Sequence, residues 1–145
     1  MGAAGNFSTF ALLKAIYKIG DRQRFERIVR IEDTAAFESG QVHPVYATFA
    51  LTRDAEWSSR LFVLEMKESN EEGIGTFVNV EHVAPAFIGD KVVFEAVIDE
   101  LKGNDINCSF TAKVGDRLVA KGRTGQKILL KEKINRLFDS LKNRE

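Results

Sequence analysis

The sequence predicts one α+β domain, an antiparallel sheet wrapped around a single long helix, and three observations carry that expectation. The stretch from Thr48 to about Met66 holds neither Gly nor Pro and is too long for a strand, so it reads as a central helix. Strand-like runs follow it, separated by turn pairs at Gly89-Asp90 and Gly115-Asp116. Strand and helix do not alternate, which removes architectures built from parallel βαβ units. The 145 residues fit one domain, 1–145, large enough to bury a core.

Taken in order, the chain opens with Phe7, Phe10, Leu13 and Tyr17 at helical spacing. Asn6 or Ser8 suits the cap and Gly20 the end, so residues 1–20 are expected to form a helical extension. Arg24 to Glu32, with Phe25, Ile28, Val29 and Ile31, reads as a strand, and the polar stretch through Gly40 as a loop or lid. On the central helix Leu51, Ala55, Ser58, Ser59, Phe62 and Met66 share one face, mostly small in its N-terminal half, which lets a helix lie close against a sheet. Ser69 to Gly75, with two Gly, reads as the turn that follows.

Strands are then expected at Thr76 to Ala84, Lys91 to Leu101, Asp105 to Val114 and Arg117 to Leu130. The third alternates Cys108, Phe110, Ala112 and Val114 with polar neighbours, the period of a half-buried strand. The fourth is expected to be broken at Gly122 and Gly125. Ile134, Leu137, Phe138 and Leu141 give a closing amphipathic helix among Lys, Arg and Glu.

Composition narrows function mainly by exclusion. Lys plus Arg (21) cancel Asp plus Glu (21), so no net field draws the chain to nucleic acid or to an anionic membrane. The lone Cys108 sits in an alternating apolar pattern and reads as core, not as a catalyst. Two His and one Cys provide none of the zinc spacings, so neither a metal nor a cofactor is expected. Phe7 to Ile19 is interrupted by Lys14 and Lys18, lacks a cleavage site and is too short to span a bilayer. The expectation is a soluble cytoplasmic protein.

Three motifs carry the functional signal: HPVYATF at His43 to Phe49, AEW at Ala55 to Trp57, and GIGTFVNVEHVAPAFIGD at Gly73 to Asp90. Through them the chain resembles the fluoroacetyl-CoA thioesterase family of hotdog proteins over Gln41 to Gly89, and more weakly in element order from Ile19 to Leu130. The resemblance implies a hotdog fold, hydrolysis of a small acyl-CoA to free acid and CoA, and a homodimer with acyl-CoA channels at the interface. It also implies a catalytic set of Thr, Glu and His, the Glu eight residues after the Thr and the His twenty-six beyond; Thr48, Glu56 and His82 reproduce both intervals. Gly75 resembles the family's glycine beside the acyl site.

The residues themselves fit those roles. An imidazole is the natural proton shuttle near neutrality, and Glu56, adjacent to the sheet-packing Ala55, should be partly buried. Thr48 can hold the substrate carbonyl or orient Glu56, while first-turn backbone N–H groups can face the oxyanion. Two routes stay open: attack by Glu56 with His82 assisting hydrolysis of the anhydride, or activation of water by Glu56 and His82 together. Read without the family pattern, Thr48 is a helix cap, Glu56 a solvated helix residue and His82 a hydrogen-bonded strand residue. His43, before Pro44, is a candidate for the pocket mouth, and Trp57 for core or dimer contact. Of the scattered basic residues, Arg123 and Lys127 are the candidates for CoA phosphates.

Two departures from the family pattern bear on substrate. The paired phenylalanines of its lid are not matched, Ser39 and Val42 standing nearest, and Gln126 stands where the family has an arginine. The fluorinated acyl group is therefore not carried over. The rival readings are a non-catalytic acyl-CoA or lipid-binding hotdog module and, behind it, a hotdog dehydratase or hydratase.

Overall fold

The structure, a computed structural model, describes residues 16–37 and 40–143. Its order is β1 (Arg22–Ile28), a 3-10 turn (Ile31–Asp33), β2 (Thr34–Phe37), β3 (Gly40–Tyr46), α1 (Thr48–Met66), β4 (Glu71–His82), β5 (Lys91–Lys102), β6 (Asp105–Val114), β7 (Arg117–Leu130) and α2 (Lys131–Lys142). Five strands form one antiparallel sheet in the order β1-β5-β6-β7-β4, and β2-β3 is a separate hairpin.

The sheet curls around α1 because only one side of each strand is apolar. Val92, Phe94, Ala96 and Ile98 of β5 and Ile106, Cys108, Phe110 and Ala112 of β6 are buried, and their neighbours in sequence are not. Leu51, Ala55, Ser58, Ser59, Phe62 and Met66 of α1 are buried against them, the six residues predicted to share that face. Burial also accounts for Cys108, whose thiol is pushed up to about 12, so it carries no thiolate near neutrality.

Several boundaries differ from the sequence reading, each for a local reason. The first strand ends at Ile28, and the expected loop is a 3-10 turn followed by the β2-β3 hairpin, tied down where Ala47 N–H donates to the Asp33 carbonyl (2.8 Å) and Tyr46 N–H to that of Ala86 (2.8 Å). The turn after α1 is much shorter than Ser69 to Gly75. Glu71 closes it by accepting the Glu68 N–H (2.6 Å), and β4 starts there. The Gly that suggested a turn serve close packing instead: a Cβ on Gly73 would stand 2.4 Å from Val63 Cγ1. Gly122 likewise does not break β7, since its missing side chain leaves room for the Asn79 carbonyl of β4, 1.9 Å from where a Cβ would be.

Most of the predicted N-terminal helix lies outside the described residues. Residues 16–19 are turn and irregular chain, so no helix runs to Ile19, and Gly20, with φ +96°, leads into β1. No described helix is long and apolar enough to cross a membrane.

The N-terminal half of α1 is held by a polar knot. Asp33 (0 % exposed) and Asp54 (1 %) are buried between Arg27, Arg30 and Arg53. Arg27 grips Asp54 through Nε (3.1 Å) and Nη2 (3.0 Å), and Arg30 grips Asp33 through Nε (2.9 Å) and Nη2 (3.0 Å). Arg53 bridges the two, donating to Asp54 (3.1 and 3.0 Å) and to Asp33 (3.1 Å). The Tyr46 hydroxyl also donates to Asp54. Burial alone would raise both carboxyls, but the guanidiniums overcome it and hold both below the ordinary range. Asp54→Ala would leave Arg27 and the Tyr46 hydroxyl facing an apolar gap. A loss of roughly 3 kcal/mol is expected, the low end for a broken buried pair because Arg53 is half exposed. Urea unfolding at neutral pH checks it, and a loss under about 1 kcal/mol, the worth of a surface pair, would contradict the knot's role.

Candidate active site

The two residues from distant stretches that actually touch are Thr48 and His82. The Thr48 Oγ1 lies 2.9 Å from His82 Nδ1. Thr48 is the first residue of α1, not its cap; Ala47 takes the cap position and makes no side-chain cap bond. Its hydroxyl is thus engaged with the imidazole across the gap between helix and sheet. His82 closes β4, paired with Ala120 of β7, and its inward direction follows from that register.

Burial lowers the His82 pKa from its ordinary 6.5, opposed in part by the Ala84 backbone, so the ring is neutral at neutral pH. Its Nε2 is buried and meets no hydrogen-bond partner, the Ala84 backbone lying near without satisfying that atom. A neutral ring with one nitrogen engaged by a hydroxyl and the other open is arranged to accept a proton or to hold a reacting oxygen. First-turn amides of α1, which no helix can satisfy internally, sit beside it.

Glu56 occupies a different place. It lies eight residues after Thr48, about 12 Å along the helix axis. Its carboxylate rests against Gly75, where an added Cβ would stand 2.3 Å from Oε2. That carboxylate makes no hydrogen bond or ion pair with any described residue. Gly75 is exposed beside a bulge, because β4 gains one residue on β7 between Gly75, opposite Gln126, and Phe77, opposite Gly125. Within one chain, therefore, Thr48 meets His82 and Glu56 meets Gly75, and the two pairs are separate.

The remaining predicted residues stand apart. His43 is exposed on β3 opposite Ala35, and its side chain makes no hydrogen bond or ion pair among the described residues. Trp57 is not core: 41 % of it is exposed. Thr124, Gln126 and Ile128 of β7 are buried toward α1, so Arg123 and Lys127 project from the opposite face. There Arg123 clasps Asp99 (3.1 and 3.0 Å) over the Phe77 ring, and Lys127 pairs with Asp105 (3.4 Å). Among the described residues no group of three His, Cys, Asp or Glu is placed to hold a metal.

Sequence reasoning missed a polar seam beneath Gly75. Thr124 Oγ1 donates to Ser59 Oγ (2.7 Å), as does Gln126 Nε2 (3.3 Å), while Gln126 Oε1 is buried without a partner. In the sequence Ser59 reads only as a small packing residue. The missed signal is that two neighbouring inward positions of β7 are polar.

A sheet curled around one helix is shared with solved proteins. A hypothetical protein of Thermus thermophilus, described as a thioesterase superfamily member, is 38 % identical, with 88 % of this chain and 94 % of that one covered at TM-score 0.83. A hot-dog-like protein of Thermanaerovibrio acidaminovorans has the same fold at 19 % identity, covering 93 % and 96 % at TM-score 0.77. So does a mutant of the fluoroacetyl-CoA-specific thioesterase FlK in complex with fluoroacetate and CoA, at 21 % identity, 81 % and 99 % coverage and TM-score 0.75. No curated protein matches the chain. The fold is that of the hotdog thioesterases. Residues 29–132 match the model of the fluoroacetyl-CoA-specific thioesterase family, and the chain belongs to that family. It is a thioester hydrolase.

Two outcomes follow from this geometry. Gly75→Ala places a methyl where the Glu56 carboxylate sits; because the clash is with the end of a flexible side chain, stability should change by less than about 1 kcal/mol while kcat falls at least about tenfold. Unchanged turnover in the folded variant would remove Glu56 from the chemistry. Secondly, a base must be neutral to act, and burial favours neutral His82, so the acid limb of kcat/KM should fall below the ordinary value of 6.5. A limb above that value contradicts the assignment.

Proposed function

We propose that the protein hydrolyses a short-chain acyl-CoA at a site that two copies of the chain complete, with Thr48, Glu56 and His82 as its working groups. The observation that carries this reading is the 2.9 Å contact of Thr48 with His82 while Glu56 stands about 12 Å away on the same helix. One chain alone does not place the carboxylate beside the imidazole.

The edge of β4 supplies the missing proximity. β4 is twelve residues long and the last strand of the sheet, paired with β7 on one side and with no described strand on the other. An edge of that length is a template for pairing, and antiparallel pairing with a second β4 satisfies it by two-fold symmetry. With the axis at Asn79, Val78 faces Val80 of the other chain. The bulge makes Gly75 and Thr76 share one step, so His82 faces that step. Glu56 of one chain then meets the Thr48–His82 pair of the other.

In that site His82, neutral and hydrogen-bonded to Thr48, accepts a proton through its open nitrogen. Glu56 supplies the anionic group, and first-turn amides of α1 face the oxyanion as the thioester carbonyl is attacked. Water attacks the carbonyl carbon, the C–S bond breaks, the thiolate of CoA leaves and takes the proton, and the free acid remains. The bound CoA of the FlK complex supports the substrate class for this chain, and the unmatched lid phenylalanines and Gln126 argue against carrying over its fluorinated acyl group. The seat of action is the cytoplasm, in keeping with an acyl-CoA substrate.

Complementation tests the shared site. Glu56→Ala and His82→Ala should each lower turnover of short acyl-CoAs, read by thiol release, at least about a hundredfold. Chains of the two variants, unfolded together and refolded, give heterodimers in half of the molecules with one intact site of two, so about a quarter of wild-type activity should return. No recovery from mixed dimers of normal mass would sink the shared site while leaving the residues' roles standing.

A further inference from the structure

The closing helix α2 is buried only at its first turn. Lys131 N–H donates to the Asn70 carbonyl (2.9 Å), and Ile134, 7 % exposed, lies beside Glu72 of β4. Leu137, Phe138 and Leu141 continue the stripe of Ile134 at helical spacing, and each is half exposed. Twelve residues make a marginal helix in water. One whose apolar residues all fall on a single side needs a surface to lie on.

The stripe leaves the body at the edge of the sheet. β4 is the outermost strand, and α2 starts beside its first residues, where Glu71 pairs with Leu130. A lipid surface fits such a stripe poorly, because the body already occupies the same side at Ile134. The opposite side mixes Glu132 and Asp139 with Lys133 and Arg136, where an anionic membrane calls for cations. What fits is a surface that continues the body's own beyond β4.

The chain carries a second uncovered apolar run at the far end of β4. Val83, Pro85, Phe87 and Ile88 are exposed there, although main-chain bonds hold the run in place. Val83 and Ala84 N–H donate to the Val119 carbonyl (2.8 and 3.2 Å), and Asp90 N–H to that of Phe87 (2.9 Å). Glu72 to Val83 is about 36 Å along the strand, and α2 is about 18 Å long, so within one chain the helix does not reach the run.

Two-fold pairing of β4 brings stripe and run together. In the register proposed above, His82 faces the step at Gly75 and Thr76. Val83 of the second copy therefore faces Ile74, and Ala84 and Pro85 follow toward Gly73 and Glu72, where α2 begins. We propose that α2 is a clasp between copies, with Leu137, Phe138 and Leu141 of one over Val83, Pro85 and Phe87 of the other, and the contact repeated by symmetry. From Ile134 to Leu141 the helix advances about 10 Å, and neighbouring strands lie about 4.8 Å apart, so it passes from its own edge strand onto the second copy. Edge pairing alone is main-chain hydrogen bonding; the clasp adds the apolar core of a stable interface. Its placement rests on the β4 pairing of the proposed function, not on the roles given there to Thr48, Glu56 and His82.

Sedimentation of the full-length wild type and of Phe138→Ser/Leu141→Ser, each with native circular dichroism, reads the clasp. The dimer dissociation constant should rise at least about tenfold in the variant. Leu137→Cys chains and Val83→Cys chains, unfolded together and refolded, should join through a short bis-maleimide. Neither should join alone, because equal positions stand at opposite ends of the paired strands. An unchanged dissociation constant, or no cross-link in the mixture, overturns the clasp and leaves the shared site standing; a wild type that stays monomeric at every concentration overturns both. Binding of wild type to phosphatidylglycerol vesicles that the variant loses, with its dimer unaffected, gives the stripe to a lipid surface and overturns the clasp as well. Turnover enters none of these readouts.

Discussion

Two carboxylates almost cut off from water, Asp33 and Asp54, set where α1 lies relative to everything around it. Three guanidiniums share them, so the cluster carries one excess positive charge, and Arg53 belongs to both halves. Arg27 comes from β1, Arg30 and Asp33 from the turn after it, Tyr46 from the hairpin and Asp54 from the helix. Apolar packing holds a helix to a sheet but tolerates sliding and rotation. Paired buried charges do not, because each misplacement leaves a desolvated ion without its partner. The start of α1, and with it Thr48, is fixed by this cluster before any substrate is bound.

The opposite flank of α1 uses absence of side chains for the same end. Gly73 lets β4 approach Val63, and Gly75 leaves room for the Glu56 carboxylate. Ser58 and Ser59 keep the helix side thin, and their hydroxyls are absorbed by carbonyls one turn back, Ala55 (2.6 Å) and Glu56 (2.9 Å). The site is thus framed by charge toward β1 and by small residues toward β4. The two devices differ in tolerance: a methyl at Gly75 displaces one flexible group, whereas a missing Asp54 strands several fixed ones.

Periodicity made the larger elements legible. Thr48 to Met66 and the alternation through Cys108 to Val114 are long and regular, and both fall where the sequence places them. Glycine misled at Gly73, Gly75, Gly122 and Gly125, because a glycine marks either a turn or a close approach, and only the neighbours decide. Gly125 lies under the Phe77 ring, which no local pattern announces. The charged knot was illegible for a related reason: Arg and Asp are ordinary surface residues, and burial of Asp33 and Asp54 depends on partners 20 to 27 residues away. Of the candidate site, the family motif's spacing named Thr48 and His82, whose side chains touch, but spacing carries no information about where Glu56 lies relative to them.

Geometry supplies that information. Residues eight apart on a helix are two turns apart, so a hydroxyl at position one and a carboxylate at position nine cannot converge on one atom without leaving the helix. A chain that needs both has to fold the substrate between them or borrow one from a copy of itself. The bulge at Gly75 and Thr76 fits the borrowing proposed above. By inserting one residue it turns Gly75 inward, in step with Val78, Val80 and His82, so the carboxylate seat and the imidazole lie on one face of the edge strand. Without the bulge the alternation would send Gly75 outward, away from the face that carries His82.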